Sequence, residues 1–138
     1  MPDDSFPVEM FQGVPVLAAP EEIDITNAAA LRAALLTATA NGTGTLVVDM
    51  TRTQFCDSSG LHALLAAHKR AEAEGRKILL VIPSPAVLRV FTLTAMDRVI
   101  PNLTSLAEAL AQTAAPRTAA ATSEMKEMPR RRPAAAQR

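Results

Sequence analysis

The chain alternates short, mostly apolar stretches with longer stretches whose apolar residues recur every three or four positions. Residues 45–50 and 78–82 have the length and composition of buried β-strands. Between them, residues 61–68 carry apolar side chains at helical spacing, which predicts a helix that opens at Ser58 or Ser59. The pattern therefore indicates strands and helices in alternation.

The N-terminal part of the chain predicts a β-hairpin followed by a helix. Residues 6–11 and 14–18 are short apolar runs joined by a Gln-Gly pair, which is typical of a tight turn. Thr26 or Asn27 can cap the helix that follows, because a short polar side chain can accept a hydrogen bond from the first turn. An Asn-Gly pair ends that helix.

Two further helices and a last strand are predicted in the C-terminal half. Ser84 followed by Pro85 is a cap followed by a proline at the first helical position. Residues 99–100 are expected to form a last short strand. Thr104 or Ser105 then caps a final helix.

The predicted order of elements is β-β-α-β-α-β-α-β-α. Strands that alternate with helices imply parallel pairing through right-handed crossovers. We therefore expect an α/β fold with a single small mixed β-sheet of four to five strands and about four helices packed mainly on one face. Partners and ligands usually meet such sheets where the parallel strands end and helices begin.

Composition limits the class of protein. A chain of 138 residues with 49% hydrophobic content fits one domain with an aliphatic core. The single cysteine excludes an intrachain disulfide and favours a reducing compartment. No apolar run approaches the roughly 18 residues of a membrane span, so we expect a cytoplasmic protein without one.

The neutral net charge hides an asymmetry between the two ends of the chain. Residues 113–138 hold six basic and two acidic residues, a net charge of +4, which leaves −4 for residues 1–112. The segment 113–138 is rich in Ala, Pro and Arg and has no sustained apolar face. We expect a folded domain over 1–112 and a disordered basic tail over 113–138. Three consecutive arginines are weak support for a nucleic-acid partner, so none is expected.

The sequence Asp57-Ser58-Ser59-Gly60 separates an apolar strand from a helix and allows three interpretations. In the first, a serine caps the helix, Asp57 favours the positive helix terminus, and Gly60 permits close packing. This interpretation leaves one hydroxyl without a role.

The second interpretation makes Ser58 the nucleophile of a hydrolase, with His62 one helical turn away as its base. Asp57 is bonded in sequence to Ser58, however, and is badly placed to orient His62 from behind. The chain also lacks the G-x-S-x-G turn of serine hydrolases. We therefore expect a solvent-facing His62 and no enzymatic activity.

The third interpretation makes a serine the target of a kinase. A hydroxyl at a strand-to-helix junction is accessible, and a phosphate there would carry about −1.5 to −2 charges. That charge lies near backbone N–H groups that can bind it, while a partner docked on the surface would meet new charge and bulk.

Three segments together resemble a STAS domain, and more narrowly a bacterial anti-sigma factor antagonist. They are EEIDITNAAALRAAL, LVVDMTRTQFCDSSGLHALLAAHKRAEAEGRKILLV and SPAVLRVFTLTAMDRVI. The resemblance implies that Ser58 is phosphorylated by the anti-sigma factor, an ATP-dependent kinase with a histidine-kinase-like fold. It also implies that the unphosphorylated form binds that factor and frees the sigma factor, and that a phosphoserine phosphatase reverses the modification.

The same resemblance assigns further residues to the partner interface. Asp24, Asp57, Ser59 and Gly60 would contact or shape it together with Ser58. The protein would then be a substrate and binding module, with no cofactor, metal or catalytic residue of its own. Consistently, the chain has no glycine-rich phosphate loop.

Three positions depart from the family pattern, and other roles for the domain remain open. Cys56 stands where an apolar residue is common, His62 where a small one is common, and Ala95 where glycine is usual. A thiol beside the switch could be redox-sensitive. A non-switching scaffold subunit of the stressosome or lipid-transport type is the alternative, and the presence of Ser58 favours the switch.

Overall fold

The computed structural model describes residues 6–40 and 44–113 of the chain. The described strands are β1 (Val8–Phe11), β2 (Val14–Ala18), β3 (Glu22–Ile23), β4 (Thr45–Asp49), β5 (Phe55–Cys56), β6 (Lys77–Val81) and β7 (Asn102–Leu103). The described helices are α1 (Ala28–Ala40), α2 (Ser58–Ala73), α3 (Pro85–Leu93) and α4 (Leu106–Thr113). Except for Thr113, the predicted basic tail lies outside the described residues.

Five strands form the main sheet in the order β1-β2-β4-β6-β7. β1 runs antiparallel to β2, and every other pair in the sheet is parallel. The predicted mixed α/β sheet is therefore confirmed. β3 and β5 form a separate parallel pair of two residues each, which the sequence pattern did not predict.

The helices cover the two faces of the sheet unequally. One face packs α1, α2 and α3 around the larger cluster of buried residues, which includes Leu35, Leu64 and Phe91. The other face holds a smaller cluster to which α4 contributes Ala109. Along β4, Leu46 and Val48 join the larger cluster and Val47 the smaller, since successive side chains of a strand point to opposite faces. The expectation of helices mainly on one face is confirmed.

The predicted hairpin forms through a tight two-residue turn. Gln12 and Gly13 both have positive φ values, 55° and 85°, as the commonest two-residue hairpin turn requires. β1 and β2 then pair from Val8 with Leu17 to Phe11 with Val14.

The predicted last strand at 99–100 is wrong. After α3, Ala95 adopts the left-handed backbone conformation with φ of 63°, and a short 3-10 turn covers Met96–Arg98. The turn carries Ile100 into the core, and the chain regains an extended conformation only at β7. Ala95 thus takes the conformation that glycine adopts most readily.

Candidate functional site

The junction before α2 is organised by the side chain of Asp57. Its backbone is extended, with φ of −92° and ψ of −172°, and its Oδ1 accepts a hydrogen bond from the Gly60 N–H at 3.0 Å. Its carbonyl accepts the first helical bond from the Leu61 N–H at 3.0 Å. The helix begins at Ser58 as expected, but the expectation that a serine side chain caps it is wrong. A carboxylate occupies the cap, where it also faces the positive end of the helix.

The two serines of the motif are left without a capping role. Ser58 is exposed and Ser59 is half-buried. Within residues 6–40 and 44–113, neither hydroxyl makes a hydrogen bond to another side chain or to the backbone. Ser58 therefore presents an unengaged hydroxyl at the first position of α2.

Gly60 lies where α2 meets the small β3–β5 pair. A Cβ atom at this position would stand 2.7 Å from the Cys56 Sγ and 2.7 Å from the Ile23 Cγ2. Real carbon atoms do not approach that closely, so a side chain would push α2 away from the pair. Glycine here permits the close packing that the sequence suggested.

The β3–β5 pair brings two distant segments to one edge of the molecule. Ile23 pairs with Cys56, and the Asp57 N–H donates to the Ile23 carbonyl at 3.1 Å. Asp24 and Asp57 therefore each follow the paired positions of neighbouring parallel strands. The structure thus brings Asp24 to the same edge as the serine motif.

Asp24 is fixed by its own turn. Its Oδ1 accepts hydrogen bonds from the Thr26 hydroxyl and from the Thr26 N–H, the latter at 2.9 Å. The Thr26 hydroxyl, followed by the backbone N–H groups, lowers the pKa of the Asp24 carboxyl. The Asn27 side chain does not cap α1. Its Oδ1 accepts a hydrogen bond from the Asp24 N–H, and its Nδ2 donates one to the Glu22 carbonyl.

Two apolar side chains stand exposed beside these carboxylates. Ile25, directly after Asp24, is 77% exposed, and Phe55, in β5, is 50% exposed. Sequence reasoning missed both residues. For Ile25, the available signal was an apolar side chain within an otherwise polar turn. For Phe55, it was the neighbouring Cys56, because successive side chains of a strand point to opposite faces and Cys56 points into the core.

A comparison with known proteins matches residues 5–110 to the family model of the STAS domain. The chain belongs to the STAS domain family. A solved anti-sigma factor antagonist from Mycobacterium paratuberculosis is 32% identical, with a TM-score of 0.71 over 81% of this chain and 97% of that one.

Two structures of SpoIIAA are also similar to this STAS domain. The unphosphorylated anti-sigma factor antagonist SpoIIAA is 27% identical, with a TM-score of 0.65 over 80% of this chain and 96% of that one. The phosphorylated form of the Bacillus protein is 25% identical, with a TM-score of 0.59 over 79% and 99% of the two chains. The expected resemblance to anti-sigma factor antagonists is confirmed. Among the helices of the described ranges, none has the length and apolarity to cross a membrane.

Cys56 directly precedes the motif of this STAS domain. It is buried, and burial, followed by the negative charge of Asp57, raises the pKa of its thiol to about 12. Because the thiolate is the reactive form, these surroundings oppose the redox role that the sequence left open.

His62 is exposed on α2, as expected. The Asp57 carboxylate bonds to the Gly60 N–H, and among the described residues it shares no hydrogen bond with His62. Asp57, which would be the third member of a hydrolytic triad, therefore binds the backbone of its own helix and does not orient His62. His62 instead lines a groove between α1 and α2, together with Arg32 and Ser59.

Proposed function

We propose that this STAS domain is an anti-sigma factor antagonist switched by phosphorylation of Ser58. In this proposal the unphosphorylated form binds a kinase-type anti-sigma factor with a histidine-kinase-like ATPase fold and thereby frees a sigma factor. Phosphorylation ends the binding, and a phosphoserine phosphatase restores it. The cycle takes place in the cytoplasm, where ATP is available. The observation that carries the proposal is the unengaged, exposed Ser58 hydroxyl beside an aspartate that already caps the helix.

The chemistry of the switch is a phosphoryl transfer. The partner supplies ATP, the bond between the Ser58 Oγ and the γ-phosphorus forms, and the bond from that phosphorus to ADP breaks. The Ser58 hydroxyl proton passes to a base of the partner kinase and from there to solvent. The phosphorylated SpoIIAA structure supports this step, since it belongs to a relative with the same fold.

The surface around Ser58 supports a protein partner. Ile25 and Phe55 offer apolar contact area, and Asp24 and Asp57 hold two negative charges in fixed positions at the same edge. Apolar residues supply the burial and the charges the orientation in such an interface. A phosphate would place about −1.5 to −2 further charges on that surface and keep it solvated.

Mass spectrometry tests the site assignment. The cognate anti-sigma factor with ATP should add one phosphoryl group to the wild-type chain and to the matched Ser59→Ala control, but none to Ser58→Ala. Equal phosphorylation of Ser58→Ala and wild type would show that the assignment is wrong.

Titration calorimetry with the anti-sigma factor tests the switch itself. Ser58→Asp should bind more weakly than Ser58→Asn, which has nearly the same shape without the charge. Equal affinity of the two variants would contradict the repulsion mechanism and fit a non-switching scaffold subunit instead.

A further inference from the structure

A shallow groove of about 290 Å³ lies between the starts of α1 and α2. Alanines from both helices line it, and its polar lining consists of Arg32 from α1 with Ser59 and His62 from α2. Small side chains on facing helices leave the space, and two basic side chains border it. The groove adjoins the first turn of α2, which begins at Ser58.

The groove is basic within a domain that is acidic as a whole. α1 contains no acidic residue, and the first acidic residue of α2 is Glu72, more than three turns from Ser58. The ion pairs among the described residues involve Glu72 and Glu74, and none involves Arg32 or His62. The two basic side chains are therefore available to an anion.

The turn of α2 places His62 between the two serines of the motif. With about 100° of rotation per residue, His62 is roughly 40° from Ser58 and roughly 60° from Ser59 around the helix axis. Residues four apart on a helix are surface neighbours, so a group attached to the Ser58 Oγ lies beside the His62 side chain. On its other side, His62 borders the groove that Arg32 also lines.

We infer that the phosphate on Ser58 is bound by His62, one turn away on α2, and by Arg32, which reaches toward it from α1 past the edge of this groove. The inference rests on the proposed function for the presence of the phosphate. Asp57 is the nearest carboxylate in sequence, and it is engaged by the Gly60 N–H. Phosphorylation would thus hold the Arg32 and His62 side chains at the start of α2, in addition to placing charge on the partner surface.

The test uses the full-length chain with phosphoserine encoded at position 58 during translation, so it requires no kinase. Phosphorus NMR follows the loss of the second phosphate proton, which occurs near pH 6 in a free phosphoserine. A positive charge or a hydrogen-bond donor beside the phosphate favours the dianion and lowers the midpoint of this titration. The midpoint should rise by about 0.3 to 0.7 pH units in the double variant Arg32→Gln, His62→Asn, and by less in each single variant.

Lys69→Gln is the matched control, because Lys69 is an exposed basic residue of α2 that does not line the groove. Its midpoint should equal that of the phosphorylated parent chain. Equal midpoints for the double variant and the parent would overturn the inference and leave the phosphate in solvent. Arg32 and His62 are both exposed, so the variants should fold, which circular dichroism verifies. A failure of the kinase assay would affect the proposed function alone.

Discussion

Two helices of this domain, α2 and α3, follow a strand closely and have a serine at their start. In α3, Ser84 is the cap, and its Oγ accepts a hydrogen bond from the Val87 N–H at 3.3 Å. In α2, Asp57 has that role, and Ser58 occupies the first helical position instead. The serine of α3 is thus engaged by the backbone, whereas the serine of α2 remains available to another protein.

The residues on either side of the cap also differ between α2 and α3. The residue before the cap is exposed Pro83 at α3 and buried Cys56 at α2. The third helical residue is buried Val87 at α3 and Gly60 at α2. A side chain therefore caps each helix, but the start of α2 also depends on its close approach to β3 and β5. Each difference can be tested separately.

The largest expected effect concerns the reactivity of Cys56. A pKa of about 12, against the ordinary 9.0, leaves the folded chain with a thiolate fraction about a thousandfold smaller. Iodoacetamide at pH 8 should therefore label the chain in denaturant and leave the folded chain almost unlabelled. Equal labelling rates in both conditions would contradict the burial of Cys56.

The same thiol gives a pH dependence of stability with a defined sign. The folded chain holds the thiol proton more tightly than the unfolded chain does, and this difference stabilises the fold. The stabilisation is complete below pH 9 and is lost progressively as the pH rises from about 9 to about 12. The Cys56→Ala variant should show a smaller loss of stability over this window, as measured by urea denaturation.

Gly60→Ala should lower the free energy of unfolding by about 1 to 3 kcal/mol, because the added methyl meets the Cys56 Sγ and the Ile23 Cγ2. At an unhindered helical glycine, the same change to alanine would raise the free energy of unfolding by about 1 kcal/mol. The sign of the measured change therefore shows whether the position is crowded. Adding Cys56→Ala removes one of the two clashing atoms and should restore part of the loss. Denaturant unfolding of Gly60→Ala, Cys56→Ala and the double variant measures both effects.

The cap positions should show the smallest effects. Asp57→Ala and Ser84→Ala each remove a capping oxygen and should cost about 1 kcal/mol. Ser58→Ala, the matched change one residue away, should alter thermal stability by less than about 0.5 kcal/mol. A cost at Ser58 equal to that at Ser84 would mean that both serines serve their helices, and the contrast between the junctions would disappear.

The sequence allowed much of the fold to be predicted, because long periodic segments determine their own structure. The cap of α3 at Ser84 followed from local side-chain chemistry and is confirmed. For α4 the sequence left Thr104 and Ser105 as candidates, and Ser105 is the cap. The β3–β5 pair was missed because two-residue strands have no recognisable period and form only through tertiary contacts.

The site was less predictable than the fold. The motif predicted Ser58 as the phosphorylated residue, and that remains a proposal. The residue that caps α2 could not be predicted, because it depended on the backbone angles of Asp57. Arg32 and His62 are thirty positions apart, and only the packing of α1 against α2 places them along one groove. Local sequence carries no signal for such a juxtaposition.

The pairing of Ile23 with Cys56 also sets the moment during folding at which the site comes into existence. All of α1 and β4 lie between these two residues, so the pair can form only after a long loop has closed. An unfolded chain contains the same four motif residues without the Asp57 cap, the Gly60 contact or the neighbouring Asp24. A kinase that recognises the assembled edge would therefore modify only chains that have completed their folding.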